Sequence, residues 1–380
     1  MSCFPVRRLS RRPVPSLLQE GRVELTITLL CRKTPRPHYR RTRASAAGKA
    51  VPGGTGVAVV KPDTLSLQKL FDDRLELPTV PAVAMAVLRM AQNPRVSIDQ
   101  MARVIEKDPA LAAKVFRFVN SSYFGLDKPI SSLSQAIVRL GIRATTVLTL
   151  SFSLVEASQR VADKRFDFPS FWLRSLVSAV AARRIAHYSV RDQADQAFVG
   201  ALLADIGCPF LCRAQPERYA AVMKRYRMTS DDLSVIESRA LGVTHADVSS
   251  LLLGRWHLSE TLVAAVGAHC DPASLDPDTP QFTIAVVIMA ASLIADMLIR
   301  GPIEQRVAAL ADLFRRYFTL QPAHVNVILG SLRPELQDIA SMLDLRLPPL
   351  DELENQAKTE MLRVAMGAAR PPAGAAVAGG

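Results

Sequence analysis

The sequence predicts an all-α protein. Three observations carry that prediction. Hydrophobic residues make up 49% of the 380-residue chain and aromatics only 6%, so Ala, Leu and Val supply most of the apolar content. That balance suits packed helices better than a β-sandwich. Apolar residues recur three and four positions apart between helix-start and helix-stop signals through most of the chain. Strict alternation, the mark of a strand, occurs only in "VELTITLL" (residues 23–30). A chain of this length buries one large core or two medium ones.

The elements follow in order. Leu65, Leu67, Leu70 and Phe71 predict a short first helix. In "LPTVPAVAMAVLRMAQNP", two prolines lead into Val83, Val87, Leu88, Met90 and Ala91 at helical spacing, and Asn93–Pro94 stops the run. Ser97 is the expected N-cap of the next helix, with Ile98, Met101, Ala102 and Ile105 as its buried stripe. Asp108–Pro109 ends it, because the residue before a proline is pushed out of the helical region. Pro109 then suits the first turn of a third helix, where a missing N–H costs nothing. That helix carries Leu111, Val115, Phe116, Phe118 and Val119. "NSSYFGL" reads as a turn, and "SSLSQAIVRLG" as a helix between a cap near Ser132 and a terminating Gly141. A longer apolar helix is expected over Ala144–Val161.

A second block begins near Asp167. "FPSFWLRSLVSAVAARRIAHYS" predicts a long helix, followed by "DQAFVGALLADIGCPFL". Helices are then expected at Pro216–Tyr226, Ser230–Leu241, His245–Trp256, Ser259–His269 and Phe282–Leu298. A last group, Pro302–Leu343, predicts shorter helices and more loops. No internal repeat at a fixed period is visible. The expected organisation is a basic disordered leader (1–61), a helical domain (62–300) with lobes at about 64–161 and 167–300, a helical C-terminal extension (301–367) and a disordered tail (368–380).

The formal charge of +12 suggests nucleic acid until it is divided along the chain. Residues 1–61 hold thirteen Lys and Arg against Glu20 and Glu24, and residues 62–380 are near neutral at +1. The expected folded part therefore has no global basic field to steer it to phosphates. The leader is Pro- and Arg-rich without periodicity. It reads first as disordered chain or as translation from an upstream start codon; a tail gripping RNA, DNA or anionic lipid, or an organelle transit peptide, are the rival readings. The longest apolar runs, such as Phe282–Ala295, are interrupted before the roughly 20 residues that a bilayer needs, so no membrane span is expected. Five cysteines (Cys3, Cys31, Cys208, Cys212, Cys270) form no C-x-x-C pair, which points to a reducing cytoplasm. Cys208 and Cys212, four apart, read as small buried hydrophobes on one helix face.

The stretch "DPALAAKVFRFVNSSYFGLDKPISSLSQAIVRLGIRATTVLTLSFSL" (108–154) resembles the HDOD family, a relative of the HD-domain metal phosphohydrolases. The features are the Asp108–Pro109 junction, the Asn120–Ser121 turn followed by an aromatic and Gly125, the Ser132…Ala136–Ile137…Leu140–Gly141 helix, and the apolar helix after it. Trp172, "GALLADIG", Glu237 with "LGVTHADVSSLLLGRWHL", and "AAVGAHC" fall where that family has its second helical block. The resemblance covers roughly 70–300 and implies two packed helical lobes with a role in bacterial signalling.

It also implies a site. An HD phosphohydrolase holds a divalent metal with a His, an adjacent His–Asp doublet and a later Asp, and the metal acidifies a water that attacks phosphorus. Matched onto this chain, those positions are Arg174, Ala204–Asp205 and Asp296. Two of the four have lost their ligand. Arg174 would repel a metal, and is expected instead to pair bidentately with Asp205, a carboxylate otherwise stranded in the apolar run "ALLADIGCPFL". His245 and His269 are possible pocket residues. With Asp205 and Asp296 they could form a two-His, two-Asp metal site, or each could simply hydrogen-bond within the bundle. The His doublet common in the family is reduced here to His269–Cys270, which weakens the metal reading.

Trp172 and Trp256 read as core anchors, and the basic–aromatic mixtures at Arg184–Tyr188 and Arg315–Phe318 as solvated helix ends. There is no Gly-rich phosphate loop, G-x-S-x-G or dinucleotide fingerprint. The leading expectation is a non-catalytic regulatory module, a pseudoenzyme with no catalytic residue, bound metal or cofactor, whose partners are other signalling proteins. Two alternatives stand beside it: a residual metal-dependent phosphohydrolase of nucleotides or cyclic dinucleotides, and nucleic-acid binding through residues 1–61.

Overall fold

The structure, a computed structural model, describes residues 82–365 apart from 92, 94, 122–127, 160–165, 230, 300–302, 319–321 and 343–344. The predicted helix around Leu65–Phe71, the alternating segment 23–30, the leader, the tail and most of the "NSSYFGL" turn lie outside the described residues.

Among the described residues the regular structure is helical, without strands. A first group comprises α1 (Ala82–Ala91), α2 (Ile98–Ile105), α3 (Pro109–Val119), α4 (Leu133–Leu140) and α5 (Ile142–Gln159). The caps at Ser97 and Ser132 are those the sequence names, while Asp108, read there only as the end of the preceding helix, proves to cap the next. Ser97 and Gln100 close a capping box on α2, Asp108 accepts from the Leu111 N–H at the start of α3, and Ser132 accepts from the Gln135 N–H at the start of α4. Gly141 ends α4 at φ +79°, a conformation that disfavours any side chain with a Cβ.

A second group follows: α6 (Phe168–Ser189), α7 (Ala194–Leu203), α8 (Gly207–Ala214), α9 (Pro216–Met228), α10 (Leu233–Leu241), α11 (His245–Arg255), α12 (Glu260–Gly267) and α13 (Pro280–Ile299). The helix α6 is the axis of the molecule, packing against α7, α13 and the later α15. α5 packs on α6 and α7 and so joins the first group to the second. One apolar cluster runs from Val87 in α1 to Met361 near the C-terminal end.

Two features depart from the sequence reading. "DQAFVGALLADIGCPFL" is not one helix but two, α7 and α8, broken at 204–206. The hydrogen-bond ladder tightens there: Ile206 N–H donates to Leu203 O at 3.1 Å and Cys208 N–H to Asp205 O at 2.8 Å. The Gly207 N–H leaves the ladder altogether and donates to Ser249 Oγ in α11 at 2.8 Å. The C-terminal region also has longer helices than expected, α14 (Ile303–Tyr317), α15 (Pro322–Met342) and α16 (Leu350–Ala365). Pro334 sits inside α15, where it forfeits a hydrogen bond. The apolar stripe of Val325, Ile328, Leu329, Leu332, Leu336 and Ile339 continues across it, buried against α6 and α16, and that burial offsets the loss.

Among the described residues, length and composition would let two stretches, Arg191–Ala214 and Pro280–Ile299, cross a membrane, contrary to the sequence reading of interrupted runs. The share of each apolar window buried inside the bundle is 83% and 72%, respectively. Both predicted anchors, Trp172 and Trp256, are buried, as are Cys208 and Cys212 on α8.

Candidate functional site

The break between α7 and α8 creates the site. It aims the Asp205 carboxylate at Arg174 on α6 and at His245 on α11, while Ala204 beside it contributes only a buried methyl group. Arg174 reaches that carboxylate from the first half of α6, a helix fixed at its start by Asp167, which accepts from the Ser170 N–H. One arm of the guanidinium, Nη1, pairs with Asp205 Oδ2. The other edge grips Asp296 on α13, with Nε 2.6 Å from Oδ1 and Nη2 3.3 Å from Oδ2.

The guanidinium therefore bridges two carboxylates. Its two-pronged contact goes to Asp296, not to Asp205 as the sequence suggests, because the fork edge of Arg174 faces α13 and only one arm is left for the turn at Asp205. Asp296 also accepts from the Tyr226 hydroxyl at 3.2 Å and pairs with Arg306 Nη1 at 3.1 Å.

His245 and His269 meet Asp205 on its other oxygen. His245 is the first residue of α11, set by a capping box between Thr244 and Asp247. His269 lies in the turn after α12. Their Nε2 atoms are 3.2 and 3.5 Å from Asp205 Oδ1 and 3.3 Å from each other. The imagined two-His, two-Asp set is thus not assembled: Asp205 joins the histidines, and Asp296 is held by Arg174, Tyr226 and Arg306.

Three further residues complete the cluster, and the sequence reading gave none of them a role. Glu237, fully buried on α10, accepts from the His245 backbone N–H at 2.7 Å and lies 2.6 Å from His245 Nδ1 through the same oxygen. Its second oxygen accepts from the Tyr219 hydroxyl at 2.9 Å. Cys270 Sγ lies 3.5 Å from His245 Nε2 and 3.3 Å from His269 Nε2. On the sequence, His269–Cys270 looks like a lost histidine; in space it adds a third donor atom to the histidine pair. A buried acid eight residues before His245 and a Cys adjoining His269 were the available signals.

Electrostatics knit the cluster together. Burial alone would raise the Asp205 carboxyl, but Arg174 and hydrogen bonds from both imidazoles hold it well below the usual carboxylate range. Burial opposes the charge on Arg174, and Asp205 with Asp296 outweighs it. Burial would likewise discharge His245, yet Glu237 and Cys270 push it well above its ordinary value. His269 is pushed up to about 10 against burial, chiefly by Cys270. The Cys270 thiol is brought down to about 6 against burial by the two imidazoles, while burial pushes Cys208 up to about 12.

The arrangement does not fit the metal of an HD phosphohydrolase. A cation would have to lie between Asp205 and Asp296, and the Arg174 guanidinium fills that place. Chemically, that half of the site is a charge bridge across three helical segments.

Comparison with known proteins supplies the context. A family model described as the HDOD domain matches residues 77–272. An uncharacterized protein of Treponema pallidum (strain Nichols) is 24% identical over 259 residues, 67% of this chain. This chain spans about half the length of that curated relative. Solved structures share the fold. One is a protein of Shewanella amazonensis SB2B provisionally named a phosphohydrolase, at TM-score 0.56 and 21% identity, covering 73% of this chain and 97% of that one. Another is an HDOD domain protein of unknown function from Geobacter sulfurreducens, at TM-score 0.53 and 22% identity, covering 77% and 96%. A third is provisionally named a signal transduction protein, from Marinobacter aquaeolei VT8, at TM-score 0.52 and 23% identity, covering 72% and 60%. With more than half of its length matched by the family model, the chain belongs to the HDOD domain family.

Proposed function

We propose that this protein is a non-catalytic regulatory module of bacterial signalling that acts through protein–protein contacts. The observation that carries this reading is the Arg174 guanidinium between Asp205 and Asp296. A fixed cation there replaces the ion that an HD phosphohydrolase would use to acidify its water, so no nucleophile is generated at that position. The provisional signalling name of the Marinobacter aquaeolei structure fits the same role. The bridge also ties α6 to the α7–α8 turn and to α13, so a partner that alters how these helices pack would be felt at once across the bundle. We read the two apolar stretches as bundle core instead of membrane spans, since most of each apolar window is already covered by protein. Cys208, Cys212 and Cys270, none of them in a disulfide, suit a reducing cytoplasm.

The test is a pair of measurements on the full chain. Incubated with Mg²⁺, Mn²⁺ or Zn²⁺, it is expected to leave a generic phosphodiester and cyclic dinucleotides intact. Turnover abolished by Asp205→Asn would overturn the non-catalytic reading. Affinity capture at native expression is expected to return a specific protein; return of none would overturn the contact half.

A further inference from the structure

Asp296 is one end of the Arg174 bridge, and a helix of the C-terminal region also holds it. From the first turn of α14, Arg306 reaches back to α13 and sets Nη1 3.1 Å from Asp296 Oδ2. The Asp296 side chain is 9% exposed and that of Arg306 21%, so the contact is largely shielded from water. Arg306 acts on a second acid as well. Burial, Asp231 and Asp296 raise the Asp232 carboxyl, and Arg306 opposes them. Asp232 is the N-cap residue of α10. The Arg306 guanidinium thus lies where α13, α14 and the start of α10 converge.

Two guanidinium groups contend for one oxygen of Asp296. Arg174 Nε donates to Oδ1 at 2.6 Å, but its Nη2 reaches Oδ2 only at 3.3 Å. Oδ2 also receives Arg306 Nη1 at 3.1 Å and the Tyr226 hydroxyl at 3.2 Å. A carboxylate oxygen offers about two lone-pair sites, so these donors compete. The two cations beside it also repel each other. Withdrawing Arg306 frees Oδ2 for the second prong of Arg174, and a guanidinium is held best by a full two-pronged grip on one carboxylate. Arg174 is then drawn toward α13, and its remaining arm is pulled from Asp205. Asp205 tolerates that loss, because its other oxygen faces His245 and His269.

We propose that α14 is a regulatory strap: by sharing Asp296 with Arg174, its Arg306 keeps Arg174 divided between α13 and the turn after α7, and displacing the strap loosens that turn. The two arrangements are alternative pairings of the same charges, so a modest bias on α14 shifts the balance between them. Val307, Leu310 and Phe314, buried along α14, hold the rest of the strap against α13 and α16, so a shift of its first turn is enough. The inference rests on the regulatory reading, since it names the element through which that regulation acts.

The test uses the full chain. The Ile206, Gly207 and Cys208 amides, whose hydrogen bonds hold the turn, are followed by hydrogen exchange. In Arg306→Ala they are expected to exchange about fivefold faster or more. Arg306→Lys, which keeps a cation beside Asp296, should restore much of the protection. A purely local ion pair would speed exchange in α13 and α14 alone, and unchanged exchange at 206–208 in Arg306→Ala would overturn the proposal. Urea unfolding of Arg174→Ala, Arg306→Ala and the double variant gives a second reading. The double variant is expected to raise the unfolding equilibrium constant about fivefold or more beyond the product of the single effects, because only then does Asp296 lose both guanidinium groups. Single effects that multiply without excess would also overturn it. The exchange result decides the matter even if the double variant fails to fold. Phosphodiester turnover or an empty partner capture would sink the regulatory reading without altering either measurement, so the two failures are told apart.

Discussion

Asp205 illustrates how one residue can be read twice. Along the chain it is a carboxylate inside "ALLADIGCPFL", and such a group is costly to bury without partners. In space both of its oxygens are engaged, Oδ2 by Arg174 and Oδ1 by His245 and His269. Arg174 is 13% exposed at the side chain and Asp205 10%, so the pair is shielded from water. Breaking a buried pair by removing one partner leaves an uncompensated charge, at a cost of about 3–5 kcal/mol. Arg174→Ala is expected to destabilise the fold by about 3 kcal/mol, the lower end of that range, because Asp296 keeps Arg306 and Tyr226. Urea unfolding measures this, and an unchanged midpoint would remove the bridge from the account. Arg174→Lys keeps the charge but gives up the fork, and should fall between the wild type and the alanine variant.

At the scale of elements, most boundaries are local chemistry and were legible. Ser97 and Ser132 cap the helices that the sequence assigns to them, and Asp108, read there only as the end of the preceding helix, caps the next, since a side-chain oxygen beside a free N–H needs no tertiary information. The break at 204–206 was not legible, because its cause lies on another helix. The freed Gly207 N–H finds Ser249 Oγ on α11, and the two backbones approach so closely that a Cβ at Gly207 would be driven into the carbonyl of His245. Gly207→Ala is therefore expected to push α8 and α11 apart and to cost about 1–3 kcal/mol or more. Thermal unfolding reads the cost, and the His245 ring resonances read the displacement of the site. A variant as stable as the wild type with unmoved resonances would show that this contact does not position His245. Pro334 teaches the converse lesson. A local breaker survives inside α15 because the buried stripe on either side of it outweighs one missing hydrogen bond.

For the whole molecule, charge and apolar surface are distributed unequally. Eleven of the twelve net positive charges belong to residues 1–61, and the remainder of the chain is nearly neutral. A protein lacking residues 1–61 is expected to lose retention on a heparin matrix while unfolding at the same temperature as the full chain. Retention that survives the deletion would reveal a basic face on the bundle itself. The apolar surface is consolidated into one cluster running from α1 to α16, with α6 as its axis. Helices as apolar as α13 are stable in that setting because neighbouring helices cover them.

By itself, the sequence determined the helical class, the capped boundaries and the HDOD resemblance, because periodicity, caps and motif order are properties of neighbouring residues. It also singled out Arg174, Ala204, Asp205 and Asp296, and His245 and His269, as the residues to examine. Only the tertiary structure decided how they divide: Asp296 with the guanidinium, and Asp205 shared between Arg174 and the imidazoles. It alone supplied Glu237 and Cys270 with roles. The physical reason is that donor geometry depends on how α6, α11 and α13 and the turns beside them converge. Residues 174, 205, 245, 270 and 296 have no fixed spatial relation until the apolar core has packed.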